Sequence, residues 1–365
     1  MTERDPKYAG YKPRMRVSIG SDEFSAVHLD QSLGCVLGSF AGDVAGSADL
    51  DDSGFGSAIS LSIVEALAHI EAGGVEQTRP VLFDKLQEWY SAFYGGDGPL
   101  VGEMVVGVTD PRGFEGAAER YMAAFPDRFC DSSVVSRAGF SAARWLHAQD
   151  VGATQHVGRR FCSVTHANPK ATEARALMQA IVRWQRAADR QPTSLEFHVE
   201  HALARAIPEY RDYVRQVFTP GTPDDWPSDG AWTCLSNAVD VVRTTQNFEE
   251  AISAAVEVPE DSRSVAIVVG AIAGARYGAS RIPSSMTAQI RGTVLEIPYG
   301  TSDLEKLHDR LVEVPSEAMS ENMLALRMRR DFRDGVPISR REEEFLRRFS
   351  PDLFVEELDA HNDEA

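Results

Sequence analysis

The segment Leu33-Gly34-Cys35-Val36-Leu37-Gly38-Ser39-Phe40-Ala41-Gly42-Asp43-Val44-Ala45-Gly46 carries two interleaved patterns. Leu33, Val36, Leu37, Phe40 and Val44 fall at helical spacing and form one apolar stripe. On the same segment Gly34, Gly38, Gly42 and Gly46 recur every four residues. Glycine costs a helix interior about 1 kcal/mol relative to alanine. Four of them along one face imply that another backbone packs directly against this helix. A second helical segment, Val265 to Tyr277, repeats the spacing with Gly270, Gly274 and Gly278. The two read as helices built for close contact.

Around this pair the apolar spacing predicts a mostly helical chain. A helix is expected from about Ser53 to Ala72, ending at Gly73-Gly74. Others follow at 82–94, 113–124, 135–147, 170–190, 194–204, 208–217, 231–243, 247–256, 262–276 and 302–312. Only Leu100 to Thr109 reads as a strand, and weakly. The Pro-, Gly- and Asp-rich stretch Thr219 to Gly230 reads as a surface loop within one helical domain rather than a boundary. Residues 1–30 are polar and read as an N-terminal arm. The helical domain spans 31–315, and residues 316–365 read as a C-terminal helical extension with an acidic tail. The expected fold class is all-α, a single helical-bundle domain.

Composition narrows the function classes. In 365 residues, 55 acidic side chains face 37 basic ones, a formal charge of −18, which argues against binding a nucleic-acid backbone. The longest apolar run, Val265 to Ala275, is well short of the roughly 20 residues that span a bilayer. Met1 to Gly10 has no apolar leader core, so export is not expected. Cys35, Cys130, Cys162 and Cys234 lie far apart without a CxxC pair, as expected of reduced cytoplasmic thiols.

Three polar clusters carry the chemistry. Asp43 lies at the end of the glycine-striped helix. Asp51-Asp52-Ser53 opens the next one, and Glu260-Asp261-Ser262-Arg263-Ser264 opens the helix that carries the second glycine set. Carboxylates and hydroxyls at helix starts can ligate a hard cation such as Mg²⁺, and equally are ordinary caps. Two other constellations have bland readings that outweigh the chemical ones. His198 and His201 fit two solvated histidines better than metal ligands. Cys162 with His166 and His156 lacks a partner carboxylate at the spacing a nucleophile would need.

Taken together, these segments resemble the ADP-ribosylglycohydrolases. Gly34 to Gly46 is similar to the family's opening helix with its Gly-Asp-x-x-Gly end. Asp51-Asp52-Ser53 resembles its Thr-Asp-Asp-Thr/Ser metal motif, and Thr165-His166-Ala167-Asn168-Pro169 its Thr-His-x-x-Pro. Phe248-Glu249-Glu250-Ala251 with Gly270 to Gly278 and Ile282-Pro283 is the best match. The resemblance implies an orthogonal all-α fold whose cleft holds Mg²⁺ or Mn²⁺. It also implies hydrolysis of the bond between ribose C1″ of ADP-ribose and a protein or small-molecule acceptor. Carried over residue by residue, Asp51, Asp52, Ser53, Asp261 and Ser264 are the expected metal ligands, with Asp52 and Asp261 the catalytic carboxylates. His166, Arg263 and Asp43 are the expected substrate-binding residues.

The chain departs from the pattern where chemistry is expected. The second aspartate of the family's Asp-Thr-Asp-Thr is Arg263 here, and the two preceding glycines are Pro259 and Glu260. Only seven residues separate Asp43 from Asp51, where the family has a long loop bearing a catalytic glutamate. Of the family's Gly-Asn-Gly-x-x-x-Arg loop, only Arg137 corresponds. The expected cofactor is therefore one divalent ion or none, and the expected partner is an ADP-ribosylated protein or an ADP-ribose-like small molecule. An inactive relative that binds ADP-ribose, a nucleotide or a protein partner is the alternative.

Overall fold

A computed structural model describes residues 18–19, 22–23, 26–47, 58–72, 75–92, 114–124, 130–145, 151–187, 195–221, 230–259, 261–295 and 297–313. Among these the chain is helical almost throughout, as the apolar spacing predicts. In order come the two-residue strands β1 (Ser18–Ile19) and β2 (Asp22–Glu23), α1 (Ala26–Gly46), α2 (Ala58–Ala72) and α3 (Val75–Ala92). Then come α4 (Phe114–Ala124), α5 (Ser133–Ser136), α6 (Gly139–Trp145), α7 (Val151–Thr165) and α8 (Pro169–Ala187). α9 (Leu195–Arg205), α10 (Arg211–Phe218), α11 (Gly230–Thr244), α12 (Phe248–Val256), α13 (Ser262–Tyr277) and α14 (Ser284–Thr287) follow. An antiparallel hairpin, β3 (Arg291–Val294) and β4 (Ile297–Gly300), leads into α15 (Thr301–Glu313).

The centre of the fold is the antiparallel contact of α1 with α13. A Cβ on Gly34 would lie 2.2 Å from the Gly274 carbonyl oxygen, one on Gly38 2.1 Å from that of Gly270, and one on Gly42 2.0 Å from that of Ala266. The glycine periodicity therefore has its physical cause: the two backbones touch where any side chain would stand. Val265 to Ala275 is buried on every face, so α13 is the core helix, as expected of a helix that is apolar all round. Each of its large aliphatic residues contributes about 1.5–3 kcal/mol by leaving water. On α1 the apolar stripe Leu33, Val36, Leu37, Phe40 and Val44 is buried against the rest of the core.

Antiparallel packing fixes the place of the polar clusters. It sets the C-terminal end of α1, with Asp43, against the head of α13, with Arg263. A Cβ on Gly46 would meet the Arg263 Cα at 2.6 Å. At the opposite end Asp30 accepts hydrogen bonds from the Ser280 backbone N–H and hydroxyl, both at 2.9 Å, and locks the helices in register.

Four local differences from the sequence reading stand out. α1 begins at Ala26, so residues 26–30 of the expected arm are helical. The helix expected at 135–147 is two, α5 and α6, separated at Arg137-Ala138. α7 and the β3–β4 hairpin have no counterpart in the reading. The Leu100–Thr109 strand, most of the 219–230 loop and the C-terminal extension lie outside the described residues. Among the described residues no helix is long and apolar enough to cross a membrane.

Candidate functional site

Two clusters meet at the head of α13. In the first, the Arg263 Nε–H donates to Asp43 Oδ1 at 2.8 Å. Asp43 is buried and Arg263 half-buried. A carboxylate taken out of water needs a cation beside it, and this guanidinium supplies one from within the chain. Tyr299 of β4 packs edge-on to Phe40 at 5.6 Å. Burial and then the nearby Asp43 charge push its hydroxyl well above the usual tyrosine range, against the opposing pull of Arg263.

In the second cluster, the Ser132 hydroxyl donates to the Ser264 hydroxyl at 2.9 Å, joining the head of α13 to the segment before α5. That segment is held from behind: the Ala231 N–H of α11 donates to the Cys130 carbonyl at 2.8 Å. Asp131 accepts the Ser133 N–H at 2.8 Å through Oδ1, and its Oδ2 faces His166 Nε2 at 3.5 Å. His166 follows the end of α7 and is fully buried. Its Nδ1 lies 3.2 Å from Arg137 Nη2, which can only donate. The same Nη2 donates to Thr165 Oγ1, whose own proton is used on the Cys162 carbonyl. The network therefore assigns Nδ1 as the acceptor and places the imidazole proton on Nε2, toward Asp131. Burial holds the His166 pKa below its ordinary value, so the ring is neutral at pH 7. Burial alone would raise Asp131, but the His166 and Ser133 hydrogen bonds outweigh it and keep the carboxylate ionised below the usual range.

Beneath this pair lies a buried ionic hub. Glu65 of α2 accepts a bidentate Arg175 of α8 and lies 3.5 Å from Arg137 Nε. Arg175 also donates to the Val134 carbonyl at 3.3 Å and to the Ser141 hydroxyl at 2.8 Å. Glu65 thus fixes Arg137, and Arg137 fixes the His166 ring. Glu65, Arg175, Asp131 and Tyr299 were not among the residues the sequence singled out. A detectable signal existed for Glu65, a single carboxylate among Ile59, Leu61, Ile63, Val64, Ala66 and Ala68.

The expected site residues fare differently. Asp43, Arg263, Ser264 and His166 come together around the α13 head. Asp51, Asp52 and Ser53 lie outside the described residues. Asp261 is exposed, adopts a left-handed backbone (φ 49°) and makes no capping hydrogen bond, so it does not behave as an ordinary N-cap. His198 and His201 both fall on α9. Cys162 is fully buried and burial raises its pKa to about 11, which leaves too little thiolate for a nucleophile. Cys35, Cys130, Cys162 and Cys234 are all free thiols, as expected.

The described donors do not fit a divalent cation. Among the described residues no group of three His, Cys, Asp or Glu side chains could hold a metal ion. The head of α13 offers a guanidinium, which has donors and no acceptor, and a hydroxyl engaged by Ser132.

The sequence profile of the ADP-ribosylglycohydrolases matches residues 25–321, most of the chain and all of the elements just described from α1 to α15. The chain belongs to the ADP-ribosylglycohydrolase family. Its members are glycohydrolases, and a hydrolase-like function is the general implication. The fold agrees: the chain is similar to a solved structure titled ADP-ribosylglycohydrolase-related protein complex, with a TM-score of 0.57 and 19% identity. That likeness covers 79% of this chain and 99% of the other. A sequence search of curated proteins finds no match.

The His166–Asp131 arrangement has a measurable pH signature. A histidine whose folded pKa is below its unfolded value of 6.5 binds fewer protons when folded, so stability falls as pH drops below about 6.5. The slope reaches at most about 1.4 kcal/mol per pH unit for one group. Asp131, lowered in the folded state, adds a loss in the same direction at more acidic pH. Urea denaturation of the wild type and of His166→Gln, repeated between about pH 7.5 and 5, is expected to show a shallower dependence for the variant. Parallel curves would contradict the neutral-imidazole assignment.

Proposed function

We propose that this chain recognises ADP-ribosyl groups at the head of α13 and hydrolyses the bond from ribose C1″ to a protein or small-molecule acceptor. Family membership supports the reaction class. The observation that carries the assignment to this surface is the Ser132–Ser264 hydrogen bond. It joins the α13 head, with its half-exposed Arg263, to the Asp131–His166 pair. The two parts offer complementary chemistry for ADP-ribose. Arg263 presents a planar fork of donors suited to phosphate oxygens. Asp131, ionised and partly exposed, can accept hydrogen bonds from the hydroxyls of a ribose diol, and His166 keeps it oriented. The surrounding −18 charge leaves nucleic acid an unsuitable partner, and the proposed location is cytoplasmic.

A second reading, binding without turnover, is favoured by the Arg263–Asp43 pair, because the guanidinium stands where the family resemblance expects a ligand carboxylate. Both readings require ADP-ribose to bind; only the first requires product. In a thermal-shift measurement on the full chain, ADP-ribose at a hundredfold excess over its dissociation constant adds about 2.7 kcal/mol, a shift of several degrees. Arg263→Ala and Asp131→Asn are expected to lose most of that shift. Release of free ADP-ribose from ADP-ribosylated arginine or serine peptides would then establish the hydrolase. Binding without release on any acceptor would leave the binder.

A further inference from the structure

We propose that the Arg263 guanidinium is the resident cation of this site, so that the chain binds its anionic ligand without a divalent metal ion. The inference rests on the ADP-ribose reading for its ligand, but the cation itself is argued from the chain alone. Asp43 is buried at the end of α1, and its carboxylate must meet a positive charge. The Arg263 Nε–H meets it at 2.8 Å. The position of Arg263 is not adjustable: it sits on the first turn of α13, and the glycine contacts fix that helix against α1. Its Cα lies only 2.6 Å from where a Cβ on Gly46 would be.

The neighbours reinforce the assignment. Ser264, the hydroxyl of the expected metal arm, is engaged with Ser132 at 2.9 Å. Asp261, its carboxylate, is exposed and preceded by no glycine pair. A divalent ion brought to the α13 head would face the guanidinium at short range and be repelled. A phosphate would instead be attracted by the half-exposed positive charge of a guanidinium already oriented by a carboxylate. Such a site has its positive charge built in and needs no loading.

The test is a titration of the full-length protein with Mn²⁺, read as loss of the free-ion electron paramagnetic resonance signal. Three chains are compared: wild type, Arg263→Asp and Arg263→Asn. The asparagine variant removes the guanidinium without setting a second carboxylate beside Asp43, so a folding failure of Arg263→Asp does not stop the comparison. The wild type is expected to leave the free Mn²⁺ signal unchanged up to about 1 mM, the weak end of oxygen-ligand sites. At least one variant is expected to bind at least about tenfold more tightly. Stoichiometric Mn²⁺ uptake by the wild type would overturn the proposal whatever the variants do. So would variants that bind Mn²⁺ no better than the wild type. ADP-ribose calorimetry in EDTA separates the two claims. A wild type that takes up neither Mn²⁺ nor ADP-ribose removes the functional reading and leaves the cation assignment standing.

Discussion

Replacing Gly38 or Gly270 with alanine is expected to destabilise the protein by about 3 kcal/mol or more, and the double replacement to prevent folding. In an ordinary helix the same change would stabilise by about 1 kcal/mol, so the sign of the effect is diagnostic. The new Cβ at Gly38 would lie 2.1 Å from the Gly270 carbonyl oxygen, and the new Cβ at Gly270 would lie 2.0 Å from that of Gly38. Both obstacles are backbone, so no flexible side chain can move aside. Relief requires α1 and α13 to separate, which would loosen the core helix along its whole length. Gly300→Ala is the control: its Cβ would meet the Ile290 carbonyl oxygen at an ordinary 3.6 Å. Denaturant unfolding should place the control within about 0.5 kcal/mol of the wild type. Gly38→Ala and Gly270→Ala variants as stable as the wild type would sink the direct-contact account of the fold.

Glu65→Gln is expected to cost about 3–5 kcal/mol, the range for breaking a buried ion pair from one side. The change keeps the shape and removes the charge, leaving the fully buried Arg175 and Arg137 without the carboxylate between them. Arg175→Met should cost less than Glu65→Gln, because Glu65 then retains Arg137. Combining Glu65→Gln with Arg175→Met should be less harmful than the sum of the single changes, since the pair is removed together. A coupling of about 0.5–3 kcal/mol is the usual size for residues in direct contact. The effect should reach the site as well. Arg137 loses its anchor, the His166 ring loses its fixed partner, and any ADP-ribose-induced thermal shift should shrink further than stability alone accounts for. Additive single and double variants would show that the hub is packing rather than a coupled network.

What the sequence revealed followed from local rules. A four-residue glycine period is a property of one helix, and two helices that share it announce their mutual contact through the pattern alone. The positions of Arg263 and His166 were likewise legible because short motifs carried them. The β3–β4 hairpin was not, because its turn holds Leu295 in a left-handed conformation (φ 50°). Glycine or asparagine normally marks that conformation in a sequence. α7 was missed although it packs against α8: its inward side, Val157, Phe161 and Val164, is regular but short of large apolar residues, and the rest of the segment is small or polar. The ionic hub was illegible for a different reason. Glu65 and Arg175 are 110 residues apart, and no spacing rule relates them. Only the fold makes Asp131, Arg137, His166, Glu65 and Arg175 neighbours.

The proposed function requires that ADP-ribose occupy the surface between Arg263 and the Asp131–His166 pair. The most direct measurement is calorimetric titration of ADP-ribose into the full-length wild type in EDTA, repeated with Arg263→Ala and Asp131→Asn. Saturable binding by the wild type, weakened at least about tenfold by each substitution, is the predicted result. No binding by the wild type, or binding that both variants retain in full, would contradict it.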